Sequence, residues 1–228
     1  MSQRIAIWYT LTKINFFYKM LDFLIVFPIL IYSVILHEIA HGFMADRLGD
    51  PTARLSGRLT LNPIPHIDPL MSLFLPLLLI FSGSPVVFGA ARPVPIDPFN
   101  FREGRKDIGL VGLAGPGTNL LIAVFAALLF KILLFLSPNS LSFFLPILVI
   151  TTKINLILAA LNLIPIPPLD GSRILAAIAP GEVAGVLDSL EPFGLFILFF
   201  LLLFPIGGFS LGNLIFGFVS VWMRLLGF

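Results

Sequence analysis

Between Ile108 and Leu136 the only charged residue is Lys131, and no other feature restricts the fold as strongly. The run is longer than the about 20 apolar residues that carry a helix across a bilayer. Inside lipid only helices and closed barrels satisfy every backbone hydrogen bond. Further apolar runs cover roughly 21–44 and 142–164, with shorter or glycine-interrupted ones at 190–204 and 208–226. Charged residues make up 11% of the 228 and hydrophobic ones 58%, whereas a soluble domain is about a quarter charged. The expected fold is therefore an all-α polytopic membrane protein, about five transmembrane helices forming a single embedded domain over 1–228. The opening "MSQRIAIWYTLTKINFFYKM" is too polar for a cleavable signal and has no small-residue cleavage site. The net charge is only +2 and the basic residues fall in loops, so they report topology, and no nucleic-acid partner is expected. With no cysteine, thiolate metal sites, disulfides and cysteine nucleophiles are excluded.

One segment does not fit a simple crossing. In "PLMSLFLPLLLIFSGSPVVFG" (69–89) about a dozen residues run unbroken before Ser82-Gly83-Ser84-Pro85, a length that suits a re-entrant segment. Arg47, Arg54 and Arg58 precede it, and Arg92, Arg102, Arg105 and Lys106 follow it. If basic loops stay cytoplasmic, both flanks lie inside and the segment dips in and returns. Arg4, Lys13 and Lys19 run against that arrangement, which places them outside.

His37-Glu38-Ile39-Ala40-His41 closes the first apolar run. Histidines four apart share a helical face. Both imidazoles can then reach one zinc at about 2 Å, with the intervening glutamate placed as general base toward water activated there. The competing reading is a pair of buried histidines satisfied by neighbouring helices. Ionisable groups within a membrane helix usually serve a function, which favours the metal. A catalytic zinc needs a third protein ligand and an open position. His66, Asp46, Asp68 and Asp170 are candidates. Asp46 points off the ligand face, and Asp170 is best placed, because Pro165, Pro167 and Pro168 before it end a helix and force an extended chain. Asp170-Gly171-Ser172 also reads as a plain turn, or as the cap of a short helix.

These residues resemble the site-2 proteases, a family of intramembrane zinc metallopeptidases, in a compact bacterial form without PDZ or CBS domains. "HEIAH" (37–41) is similar to the family's zinc helix, "AGPGTN" (114–119) to its Gly-Pro-x-x-Asn block, and "NLIPIPPLDG" (162–171) to its Asn-x-x-Pro-x-Pro-x-Leu-Asp-Gly block. "FGAARPVP" (88–95) resembles a loop of the compact bacterial members. The resemblance implies His37, His41 and Asp170 as ligands of one Zn2+ per chain, Glu38 as the catalytic base, and Asn119 and Asn162 lining the site toward substrate or oxyanion. It implies a three-helix catalytic core over about 20–180, with the helical pair of about 190–228 matching no functional block. The activity implied is regulated intramembrane proteolysis: cleavage of membrane-anchored substrate proteins within or near their transmembrane segments. The location implied is the inner cell membrane, the active site toward the cytoplasm.

Elementary geometry agrees. The C-terminal ends of the first helix and of the helix before Asp170 can meet only if those helices run parallel with 108–136 antiparallel between them, which needs 69–89 to re-enter. A substrate helix must unwind before it is cut, and unpaired backbone in lipid costs several kcal/mol per group. "PVVFGAARPVPID" (85–97) is a candidate short β-strand to pair with it. Lys131 and Lys153 are expected to snorkel to the non-catalytic interface. The alternatives are a zinc-binding membrane transporter and an inactive protease-like scaffold. A transporter predicts a relay of further ionisable groups, yet 108–164 contains no acid. The intact His37, Glu38, His41 and Asp170 set argues against the scaffold.

Overall fold

The computed structural model describes residues 2–82, 91–136, 143–205, 207, 208 and 210–228. Helix α1 runs over Ser2–Leu48 with Pro28 inside it. It stops at Gly49, whose φ of +116° a side chain would resist. The short α2 (Thr52–Leu55) follows, then a 3-10 turn at Ile64–His66. A π-turn over Pro69–Phe74, capped by Asp68 accepting from the Leu70 and Met71 N–H groups, leads into α3 (Leu75–Phe81). The remaining helices are α4 (Arg105–Leu136), α5 (Phe144–Asn162), α6 (Asp170–Ile178), α7 (Gly181–Leu190), α8 (Gly194–Leu203) and α9 (Leu211–Leu225).

Four segments are long and apolar enough to cross a bilayer: Leu24–Leu48, Arg105–Leu136, Phe144–Asn162 and Gly181–Leu203. The five expected runs change at the C-terminal end. There α7 extends the run expected at 190–204, and the last run becomes the 15 residues of α9. At 1.5 Å per residue α9 is about 22 Å long, short of a hydrocarbon core of about 30 Å. Phe125, Phe135 and Phe196 stand exposed on outer faces, where the surrounding solvent is lipid.

Helix α4 is the centre of the bundle. Pairings along it fix the directions of its neighbours: His41 meets Val111 while His37 meets Asn119, and Asn119 meets Asn155 while Ala123 meets Thr152. Rising numbers on one helix oppose falling numbers on the other in each case. So α1 and α5 run parallel and α4 antiparallel between them, and the end of α1 and the start of α4 lie on one side. Below the site an apolar cluster forms from Ala123, Leu156, Ala160, Leu198, Leu211 and Ile215, drawn from α4, α5, α8 and α9.

Among the described residues there is no β-strand. Of the strand expected at 85–97, 85–90 lie outside the described residues, and 91–97 are irregular. The reason is visible in the bonding. Arg92 N–H donates to the His66 carbonyl (2.8 Å), Val94 N–H donates to Glu38 Oε2 (2.8 Å), and Pro93 and Pro95 have no N–H. Arg58 Nη2 also donates to the Arg92 and Pro93 carbonyls (2.7 and 3.2 Å), so acceptors of the stretch are engaged as well as the Arg92 and Val94 donors. A second clasp lies beyond it. Asp50 accepts from the Thr52 hydroxyl and N–H, the Asp97 N–H and the Asn100 amide. Burial alone would push the Asp50 carboxyl up, but these bonds hold it below its ordinary value of 3.8.

Candidate metal centre

Helical spacing puts His37 and His41 on one face of α1, their rings 4.6 Å apart and nearly perpendicular (86°). Opposite them α4 presents Gly115, where a Cβ would overlap His41 Nε2 and His37 Cε1. Asp170 comes from the first turn of α6, where a carboxylate suits the helix dipole. Two further glycines allow that approach. A Cβ on Gly171 would strike the Leu163 and Ile164 carbonyls, and one on Gly112 would press on Arg173 and the Asp170 carbonyl.

The three side chains are buried and converge. His37 Nε2 lies 3.0 Å from His41 Nε2, and each Nε2 is 3.2 Å from Asp170 Oδ2. The outer ring nitrogens show what those inner atoms are. His41 Nδ1 is 2.7 Å from the Val111 carbonyl, which can only accept, and His37 Nδ1 is 2.6 Å from Asn119 Oδ1. His41 Nδ1 therefore carries the proton and its Nε2 faces inward as a lone pair; His37 does the same when Asn119 turns its oxygen to it. Asp170 Oδ2 is buried and receives no hydrogen bond. Three mutually facing acceptors repel one another unless a cation joins them. Tetrahedral zinc with ligands about 2 Å away holds its donors about 3.3 Å apart, close to the separations seen here. Donation of the outer N–H to a carbonyl is the usual arrangement for a ligating histidine. Among the described residues this is the one His/Asp/Glu group so placed.

The other candidates for a third ligand have different partners. Asp46 pairs with Arg54 (3.0 Å), Asp68 caps the Pro69–Phe74 turn, and His66 Nε2 bonds the Thr60 carbonyl (2.9 Å). Glu38, half-buried on the neighbouring face of α1, is held through Oε2 by the Val94 N–H. Asn119, expected to line the site toward substrate or oxyanion, is fully buried, with its oxygen on His37 and its amide on Asn155. Asn162 is not joined to the trio. It ends α5 and donates to the Leu158 carbonyl one turn back. Sequence reasoning missed Gly115 and Asn155. The glycines at 109, 112 and 115, recurring every third residue, were the available signal for the first. Nothing in the pattern of α5, which also carries Asn162, singles out the second.

Beside the centre a cavity of about 290 Å3 opens between residues 96–101, α4, α6 and α7. Val111 and Ser172 line it, the first holding His41 and the second two residues beyond Asp170.

Comparison with known proteins agrees with this geometry. The model of "Peptidase family M50" matches residues 137–205. "Putative zinc metalloprotease YwhC" of Bacillus subtilis is 37% identical over 186 residues, 80% of this chain and 81% of that protein. "Putative zinc metalloprotease Rip2" of Mycolicibacterium smegmatis is 35% identical over 188 residues, 80% of this chain and 68% of that one. No solved structure matches. Convergent acceptors on a helix-borne HExxH pair, in a chain so similar to these proteins, lead to one conclusion: this membrane protein belongs to peptidase family M50, the site-2 protease family of zinc metallopeptidases.

Proposed function

We propose that the chain is an intramembrane endopeptidase that hydrolyses a peptide bond within or near the transmembrane segment of membrane-anchored proteins. The observation that carries this reading is the position of the His37, His41 and Asp170 trio. It lies about 15 Å from the ends of α1 and α4 at 1.5 Å per residue, between helices apolar enough to span a bilayer.

His37 and His41 through Nε2 and Asp170 through Oδ2 would hold one zinc ion. Bound zinc supplies a Lewis acid that acidifies water and polarises the scissile carbonyl. Glu38 takes the proton of the attacking water and returns it to the departing amine. The Val94 N–H holds one carboxylate oxygen of Glu38 and so limits its rotation. The cavity beside Val111 and Ser172 is the route by which water enters an otherwise apolar bundle.

The topology follows the same reading. Residues 49–104 start and finish on one side, the side of Arg47, Arg54, Arg58, Arg92, Arg102 and Arg105, which the positive-inside tendency assigns to the cytoplasm. The re-entrant segment of this reading is 69–89, of which Pro69–Phe81 would be the entering leg and 83–89 lie outside the described residues.

Purified protein reconstituted in lipid with a model single-pass substrate tests the proposal. Wild type is expected to cleave and a zinc chelator to stop it. Glu38→Gln is expected to lose about 10²–10⁴-fold in rate while retaining zinc. A Glu38→Gln variant as active as wild type would remove Glu38 from the chemistry. A folded wild type that takes no zinc would remove the metal.

A further inference from the structure

The metal centre continues into the bundle as a line of buried amides. Asn119 and Asn155 are 0% exposed, and Ser33 on α1 is 4% exposed. His37 Nδ1 is 2.6 Å from Asn119 Oδ1, Asn119 Nδ2 is 2.9 Å from Asn155 Oδ1, and Asn155 Nδ2 is 2.9 Å from both Ser33 Oγ and the Thr151 carbonyl. Three membrane helices thus meet through side-chain polar groups in a setting where an unmatched amide costs several kcal/mol.

The order of donors along this line is fixed at its far end. The Thr151 carbonyl is part of α5 and can only accept. Asn155 must therefore turn its NH2 toward it, and its Oδ1 toward Asn119. Asn119 must answer with its own NH2, which leaves its Oδ1 facing His37. His37 must then carry its proton on Nδ1 and present Nε2 to the metal position as a bare lone pair. Rotating either amide by half a turn would set two acceptors or two donors face to face. Asn119 has one other brake on rotation, a 3.5 Å contact to the Ser33 carbonyl, too long to decide the matter.

We infer that Asn155 is a positioning residue of the metal site: through Asn119 it fixes the tautomer in which His37 binds metal. His41 needs no such relay, because its Nδ1 bonds a backbone carbonyl directly. The inference rests on the zinc reading above but makes a claim about the protein that can be read without zinc.

The chain has three histidines, so the ring nitrogens of 15N-histidine-labelled protein can be assigned by single substitution. In the metal-free protein at mildly alkaline pH, His37 is expected as the Nδ1–H tautomer. Asn155→Leu is expected to shift it toward Nε2–H and to weaken zinc binding about 10–100-fold. Asn155→Asp, held neutral by burial, still donates its hydroxyl to the Thr151 carbonyl and turns its carbonyl oxygen to Asn119, and is expected to keep the Nδ1–H form of His37. Asn119→Asp offers His37 an acceptor in either orientation and is expected to restore the Nδ1–H form in the Asn155→Leu background. Asn155→Ala gives the same reading should leucine prevent folding. An unchanged tautomer and unchanged zinc affinity in Asn155→Leu or Asn155→Ala would overturn the relay while leaving the zinc site intact. A wild type that binds no zinc would overturn the functional reading, and the tautomer would still decide the relay.

Discussion

The two halves of α4 differ in composition, polar and glycine-rich in the first and almost wholly apolar in the second, and they make opposite kinds of contact. From Arg105 to Asn119 the helix turns glycines to its neighbours: Gly109 meets Ala177, Gly112 meets Arg173, and Gly115 meets both imidazoles. From Leu120 to Leu136 it buries alanines instead, and Ala123 joins the cluster of Leu156, Ala160 and Leu198. A single methyl group separates the two kinds of surface. Without it, backbones approach closely enough for polar atoms on α1, α4 and α6 to meet near 3 Å. With it, the gap fills and the contact is ordinary apolar packing. Small residues drive close association of membrane helices, where burial from water offers no gain. In this molecule the glycine half builds the chemistry and the alanine half builds the frame.

The largest expected effect tests the glycine half. Gly115→Ala should cost at least about a hundredfold in peptidase activity, since displacing reacting groups by about 1 Å has that effect. It should also weaken zinc binding, measured by competition with a chelator, although alanine favours helix by about 1 kcal/mol over glycine. Unchanged zinc affinity would break the comparison. The counterpart for the alanine half is Leu156→Ala on α5, in the cluster that Ala123 joins, at a side chain with no exposure. It should lower stability by about 2–5 kcal/mol, read from thermal unfolding in detergent, and leave the zinc affinity of the folded fraction unchanged.

A smaller effect sharpens the boundary of the site. Val94→Pro removes the N–H that holds Glu38, a hydrogen bond to a charged group worth about 1.5–3 kcal/mol. Activity should fall about tenfold or more by the same measure, with zinc content unchanged. The smallest effect concerns how the glycine half is anchored to α1. Asp50 ties the end of α1 to Asp97 and Asn100, just before α4 begins. Its folded carboxyl lies below 3.8, so its stabilisation is complete above that pH and is lost as pH falls through the lower folded value. Asp50→Asn should therefore be slightly less stable at neutral pH, and the difference from wild type should shrink below about pH 4.

Much of the site was legible as residue type and spacing. HEIAH specifies a helical face with two imidazoles wherever it lies on a helix, and apolar runs specify helices wherever the solvent is lipid. Asp170 was harder: beside Gly171 and Ser172 it reads equally as a turn, and Asp46, Asp68 and His66 competed with it until their partners were seen. Asn162, inside a recognisable block, donates within its own helix, while the unremarked Asn155 lies in the polar line to His37. Of the strand expected at 85–97, the described residues 91–97 are irregular, with Arg92 and Val94 bonded to His66 and Glu38, distant in sequence. Such bonding depends on which partners arrive, and local pattern does not carry that information.

By itself the sequence determined the solvent, the helices, the histidine pair and the candidate base, because each depends on composition or on the helical repeat. The tertiary structure decided which acid joins the two histidines, and that Asn119 meets His37 through Oδ1. Those depend on distances of about 3 Å between helices far apart in the chain, and only the packing of α1, α4, α5 and α6 sets them.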